Sequence, residues 1–230
     1  MTTNFEFAHQ TSTDLAQQQN RVLHNTYMLL GLSMVPTAIG ALVGIQLGFS
    51  FFAGSPLISF LLFLGISWAF IWGIEKNRNS ATGVGLLLAY TFFMGLMLSR
   101  ILQFALGFSN GGSMIALAGG GTAAIFFTLS SVAAVSKRNF SGMGKFLFAG
   151  LILVLLASAA NIFFQIPALS LAIAAIVVVL FSFYLLYDIS RIVQGGETSY
   201  VSATLAVYLD LYNIFVSLLQ LIMALTGERD

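Results

Sequence analysis

The sequence predicts an all-α membrane protein with seven transmembrane helices, and three observations carry that prediction. Of 230 residues, 58% are hydrophobic and only 7% charged, whereas a soluble domain carries roughly 25% charged residues. The charges are gathered so that, His24 aside, long uncharged stretches run over Val22–Ile74, Asn79–Ser99, Ile101–Ser136, Phe146–Tyr187 and Leu211–Gly227. Each stretch, or each half of the two longest, supplies the roughly 20 residues that a helix rising 1.5 Å per residue needs to cross a bilayer. The same composition excludes other classes. A net charge of +1 offers no basic footprint to a phosphate backbone, so nucleic acid is not a partner. The absence of cysteine removes disulfides, thiolate catalysis and cysteine metal sites.

In chain order, the segment 1–20 is polar, rich in Gln and Thr, and lacks the basic-then-apolar pattern of a signal peptide; it reads as a disordered cytoplasmic tail. Residues 21–230 form a single transmembrane domain. Its first helix is expected over 26–48, bent at Pro36, a break that neighbouring helices can tolerate. A turn from Gly48 to Pro56 leads into the second helix, 56–74. The third covers 81–107, the fourth 112–136 and the fifth 144–164. A break at Gln165-Ile166-Pro167 opens the sixth, 167–194, which stops at Gly195-Gly196. Ser199 or Ser202 caps the last helix, 202–226. Small residues recur at four-residue spacing at Gly40, Gly44 and Gly48 in the first helix, and at Gly112, Ala116, Gly120 and Ala124 in the fourth. That spacing predicts close helix approach. Gly119-Gly120-Gly121 lies inside an apolar helix and is no phosphate loop.

Charge asymmetry sets the orientation. Arg21, Lys76, Arg78, Lys137, Arg138, Lys145 and Arg191 fall on one side, and the opposite loops at 49–55, 108–111 and 163–165 hold no Lys or Arg. The positive-inside rule places the N-terminus in the cytoplasm. Arg100, about 28 Å along the third helix from its cytoplasmic end, is expected to snorkel to the outer interface.

The residues that bear chemistry lie in the last forty. Asp210 sits inside a hydrophobic helix, where a carboxylate costs about 2.5–3.5 kcal/mol. Asp210, Asn213, Ser217 and Gln220 fall at i, i+3, i+7 and i+10, one polar stripe facing the bundle interior or a wet cavity, opposite the apolar Leu211, Phe215 and Leu218. Asp188 lies about 10 Å from the end of the sixth helix and Asp210 about 12 Å from the start of the seventh. The two helices are joined by a short connection, so the acids are expected at matching depth, sharing one site and titrating as a unit that senses pH. Arg191, at i+3 from Asp188, is its ion-pair candidate, and Glu197 reads as a solvated loop residue. His24 reads as interfacial. The chain has no His-Glu-x-x-His helix and no Gly-x-Ser-x-Gly elbow, and neither acid has the glycine context of an intramembrane aspartyl protease. It is expected not to be an enzyme.

Several segments resemble one family: His24-Asn25-Thr26-Tyr27, Gly95-Leu96-Met97-Leu98, Asn161-Ile162-Phe163, Tyr187-Asp188, Gly195-Gly196-Glu197-Thr198-Ser199-Tyr200, and the run from Tyr208-Leu209-Asp210 to Ile214-Phe215. Over about residues 21–226 the chain is similar to the Bax inhibitor-1 (TMBIM) family, in particular its bacterial YccA-like branch. The resemblance implies a last helix that is central and wrapped by the other six. It also implies an aspartate pair, here Asp188 and Asp210, that acts as pH sensor and latch for a calcium leak. For the YccA-like branch it implies association with the membrane-anchored AAA protease FtsH, which that branch restrains. The chain differs from many members in carrying Arg100 where they have proline, and in having no basic residue between Pro56 and Ile74. Arg191 is then the nearest arginine to the pair. The expected function is a pH-sensitive calcium leak of the inner membrane, with modulation of FtsH as the alternative. No cofactor or firm metal site is expected. Calcium would be the permeant ion, touching Asp188 and Asp210 in transit, and the lipid bilayer the other partner.

Overall fold

Prolines and glycines punctuate a succession of long helices. The computed structural model describes residues 3–49, 55–136 and 140–227, with side chains from Gln17 onward except Ser141. Gly54, Lys137, Arg138, Asn139 and residues 228–230 therefore lie outside the described residues. Among the described residues there are seven helices long and apolar enough to cross a membrane: α1 (Thr3–Gln46), α2 (Pro56–Lys76), α3 (Ala81–Leu106), α4 (Gly111–Val135), α5 (Gly144–Phe164), α6 (Pro167–Val193) and α7 (Tyr200–Thr226). No strand occurs among them. Pro56 and Pro167 open α2 and α6 at their first positions, where a missing N–H costs nothing and the fixed φ suits a helix.

α1 departs from expectation at its N-terminal end. Its helix begins at Thr3, so residues 3–20, expected to be disordered, are helical. Helix growth from an established span adds one hydrogen bond per residue without a new nucleus, which is how a polar segment with no span signal of its own can continue the helix. α1 also runs unbroken through Pro36.

Close backbone approach fixes α1 against α3. A Cβ on Gly40 would collide with the carbonyl of Phe92, one on Gly95 with the carbonyl of Thr37, and one on Gly44 with the side chain of Ser99. In lipid, where apolar surface gives no driving force between helices, such van der Waals contact is what holds two spans together. The second small-residue stripe behaves differently. Gly112, Ala116, Gly120 and Ala124 are all exposed, and a Cβ added to Gly112 or Gly120 would meet nothing within 4 Å. The expected close approach is absent because α4 turns another face to the bundle, the one with Met114, Ala118 and Thr122 buried.

α7 is the inner helix. It packs against α1, α2, α3, α4 and α6, whereas α5 lies outside, against α6 and α2. The expectation that all six helices wrap the last is thus corrected to five. Along α7, Val201, Val207, Ile214 and Leu219 are fully buried; the first three share one core with Leu185 and Ile189 of α6, and Leu219 packs in a second with Ala105 of α3 and Met114 of α4. The described basic residues Lys76, Arg78, Lys145 and Arg191 fall at or beside helix ends that share one end of the bundle, and Arg21 lies within α1, where the polar first part of that helix passes into its apolar span. Arg100 is exposed toward the other end of α3.

Candidate functional site

The site is built where α6 stops and α7 begins. Gly195 takes a left-handed conformation, φ +74°, and the Gly196 N–H closes on the Arg191 carbonyl at 2.8 Å, so the chain reverses within a few residues. Ser199 then caps α7, its side chain accepting the Ser202 N–H at 3.3 Å. Between the two, Glu197 accepts the N–H groups of Thr198 and Ser199 at 2.9 and 3.0 Å through one oxygen. Its other oxygen lies 3.4 Å from Arg191. The solvated Glu197 expected from sequence is therefore corrected: its side chain is only 14% exposed, because two backbone donors and a guanidinium occupy it.

Arg191 bridges two acids. One nitrogen lies 3.6 Å from Asp188 Oδ1, the other reaches Glu197, and the guanidinium sits 5.6 Å from the centre of the Tyr187 ring. Asp188 in turn meets Asp210 side chain to side chain, within hydrogen-bonding reach. Asp210 is 3% exposed, and its Oδ2 is buried with no hydrogen-bond partner among the described residues. Tyr184, one turn before Asp188, lies close enough to both carboxyls to feel their charge. The row Glu197–Arg191–Asp188–Asp210 thus leads from the connecting loop into the bundle.

The remaining stripe residues are less concentrated. Ser217 is buried, while Asn213 and Gln220 are half-buried. The Asn213 amide donates to the Leu209 carbonyl of its own helix at 2.8 Å. The large cavity touching α7 lies on its other face, at Leu211 and Phe215. Among the described residues, no group of three or more His, Cys, Asp or Glu side chains is placed to hold a metal ion. His24 is exposed.

Other polar anchors of α7 escape the sequence reading. Ser202 donates to Glu75 at 3.0 Å, Ser199 to the Arg78 carbonyl at 2.9 Å, and Glu75 lies 3.8 Å from Arg78. The start of α7 is thereby tied to the end of α2. Deeper, the Tyr208 hydroxyl pairs with Thr37 at 2.9 Å and Tyr212 donates to the Met94 carbonyl at 3.2 Å. Two tyrosines at i, i+4 beside a buried acid, and one acid at the end of an apolar α2, are the signals that mark these anchors.

A fold of seven membrane-length helices agrees with what comparison of the sequence finds. The family model described as Inhibitor of apoptosis-promoting Bax1 matches residues 19–227. The chain belongs to the Bax inhibitor-1 family. It is 40% identical over 212 residues to an uncharacterised protein of Neisseria meningitidis, covering 91% of this chain and 93% of the relative. A membrane protein of Vibrio cholerae is 37% identical over 216 residues, covering 94% and 95%. The protein of Escherichia coli named Modulator of FtsH protease YccA is 38% identical over 203 residues, covering 88% of this chain and 90% of its own. Seven apolar helices and these relatives make the chain a multi-pass bacterial membrane protein. Segments that carry the Bax inhibitor-1 resemblance have structural duties here: Asn161 joins α5 to α6 by accepting the Ile166 N–H at 3.0 Å and donating to Ser170 at 2.6 Å, and Thr26 gives its carbonyl to Thr204 of α7.

Proposed function

We propose that the chain is a non-catalytic modulator of a membrane-anchored AAA protease of the FtsH type, seated in the bacterial inner membrane with its N-terminus in the cytoplasm. The observation that carries this reading is its likeness, over 88% of its length, to the Escherichia coli protein of that name. The architecture supplies a mechanism. α1 has 44 residues and so is about 66 Å long, roughly twice what the hydrocarbon core requires. Its polar first part projects on the basic side. An isolated polar helix is marginal in water, so a protease can melt and grip it. Pulling then meets a bundle whose inner helix is held by five others, and the protease is occupied without rapid product. In a bacterium deprived of its own relative, expression of this chain should lengthen the half-life of a membrane-protein substrate of the protease; an unchanged half-life, with the chain present in the membrane, overturns the reading.

The carboxyl pair favours a second reading, a pH-sensitive cation leak with calcium as permeant ion. Two facing carboxyls hold together through one shared proton and repel when both are charged. Arg191, Glu197 and Tyr184 are the other ionisable groups placed around them. Loss of the shared proton would loosen α6 from α7, and the freed carboxylates would offer hard oxygen ligands of the kind calcium prefers. Calcium flux into liposomes measured from pH 6 to pH 8 tests it, and a pH-independent or absent flux removes it.

A further inference from the structure

On the side of α7 away from the carboxyl pair, a cavity of about 720 Å³ opens between α1 and α4. Small side chains create it: Gly31 and Ala38 on one wall, Gly119 and Ala123 on the other, with Leu211 and Phe215 of α7 as the floor. No part of the chain within 4 Å would meet a Cβ on Gly31, and one on Gly119 would only graze the Phe215 ring at 4.0 Å. Among the described residues, α1 and α4 do not pack against each other along their length; the rings of Tyr27 and Phe126, edge to face at 5.7 Å, close the gap at one end. Because both walls are membrane-spanning helices, the opening faces hydrocarbon.

We propose that this cavity binds one acyl chain of a bilayer phospholipid, which enters sideways between α1 and α4 and rests on the inner helix. Size selects the occupant. The cavity follows α1 from Tyr27 to Ala41, about 21 Å. A methylene takes about the room of a water molecule in the liquid, about 30 Å³, so a chain of about 16 carbons needs about 480 Å³. Polarity selects the direction. Most hydroxyls along the cavity are already committed, Tyr208 to Thr37, Tyr212 to Met94 and Thr122 to Ala118. Ser130 Oγ is not: it is buried with no hydrogen-bond partner among the described residues. It lies five residues from the end of α4, about 8 Å in, at the basic end of the bundle and near the same depth as Tyr27. The ester end of the lipid sits there, where tyrosine is at home in the interface, and the hydrocarbon runs toward Ile115.

The test uses the full chain in liposomes containing phosphatidylethanolamine with a photoreactive diazirine on its acyl chain, followed by peptide mass spectrometry. Outward residues such as Phe146 and Leu153 of α5 are exposed and label from bulk lipid in any case. Leu211 and Phe215, on a helix packed within five others, label only if an acyl chain occupies the cavity, and their labelling is the expected result. The double variant Gly31→Leu/Gly119→Leu should lose α7 labelling while retaining that of α5 and a wild-type melting temperature. If the double variant does not fold, Gly31→Leu alone, at the position with free space, serves. An unlabelled α7 in the wild-type chain overturns the proposal, as does α7 labelling that persists in a folded, filled variant. Cross-links from α4 to a second copy across the cavity mouth, in place of lipid, overturn it too.

Discussion

The side chain that meets Asp210 is that of another acid, Asp188. A carboxyl pair of this kind needs one proton between its members or an outside cation, so replacing either acid by asparagine supplies the missing donor. Asp188→Asn and Asp210→Asn should each leave the bundle folded and each flatten whatever pH dependence the chain shows. The double variant should deviate from additivity by about 0.5–3 kcal/mol, read by thermal denaturation in detergent; strict additivity would return both acids to separate roles. Glu197 is no neutral control for that experiment. Glu197→Gln keeps an acceptor for the Thr198 and Ser199 N–H groups but removes the charge facing Arg191, and should shift the same pH profile, whereas Glu197→Ala should also cost about 1 kcal/mol for the lost backbone hydrogen bonds. A pH profile identical to wild type in Glu197→Gln would mean that Arg191 acts on Asp188 alone. Both acids of the pair are legible in the sequence, since a charge inside an apolar span must find a partner. Glu197 is not, because a charged loop residue looks the same whether it faces water or folds back onto a helix terminus.

At the scale of helices, boundaries other than the start of α1 are legible and faces are not. Pro56, Pro167, Gly195 and Ser199 fix where helices start and stop through local backbone chemistry, which needs no tertiary knowledge. Which way a helix turns is another matter, since a membrane helix is apolar toward both lipid and protein. α5 carries only Leu147 as a buried residue, and nothing in its composition distinguishes it from α6, so its place outside the inner helix's shell could not be read. The two small-residue stripes make the same point, with equal spacing and opposite fates. Gly95→Leu should be severely destabilising, beyond the about 1–3 kcal/mol typical of overpacking, because its Cβ would meet a backbone carbonyl that cannot move without shifting α1. Gly120→Leu should stay within about 0.5 kcal/mol. Melting temperatures of the two variants in one detergent decide it, and equal loss in both would refute the α1–α3 contact as the one that matters.

For the whole molecule, the charge distribution and the inner helix combine into one account. If the basic end of the bundle faces the cytoplasm, a cysteine at Asn79 is labelled by a membrane-impermeant reagent only from that side and one at Asn110 only from the other; the reverse pattern inverts the topology. Deletion of residues 2–20 should remove the part of α1 that projects beyond the bilayer and prolong the chain's lifetime in cells, since that segment is what a protease can grip, and an unchanged half-life would remove it from the mechanism. The most direct measurement of the central claim places purified FtsH-type protease, a membrane-protein substrate and this chain together in proteoliposomes and follows substrate loss with ATP present. The account predicts slower degradation as the chain is added, with inhibition weakened when residues 2–20 are absent. A degradation rate that stays constant across a stoichiometric excess of correctly inserted chain would contradict it.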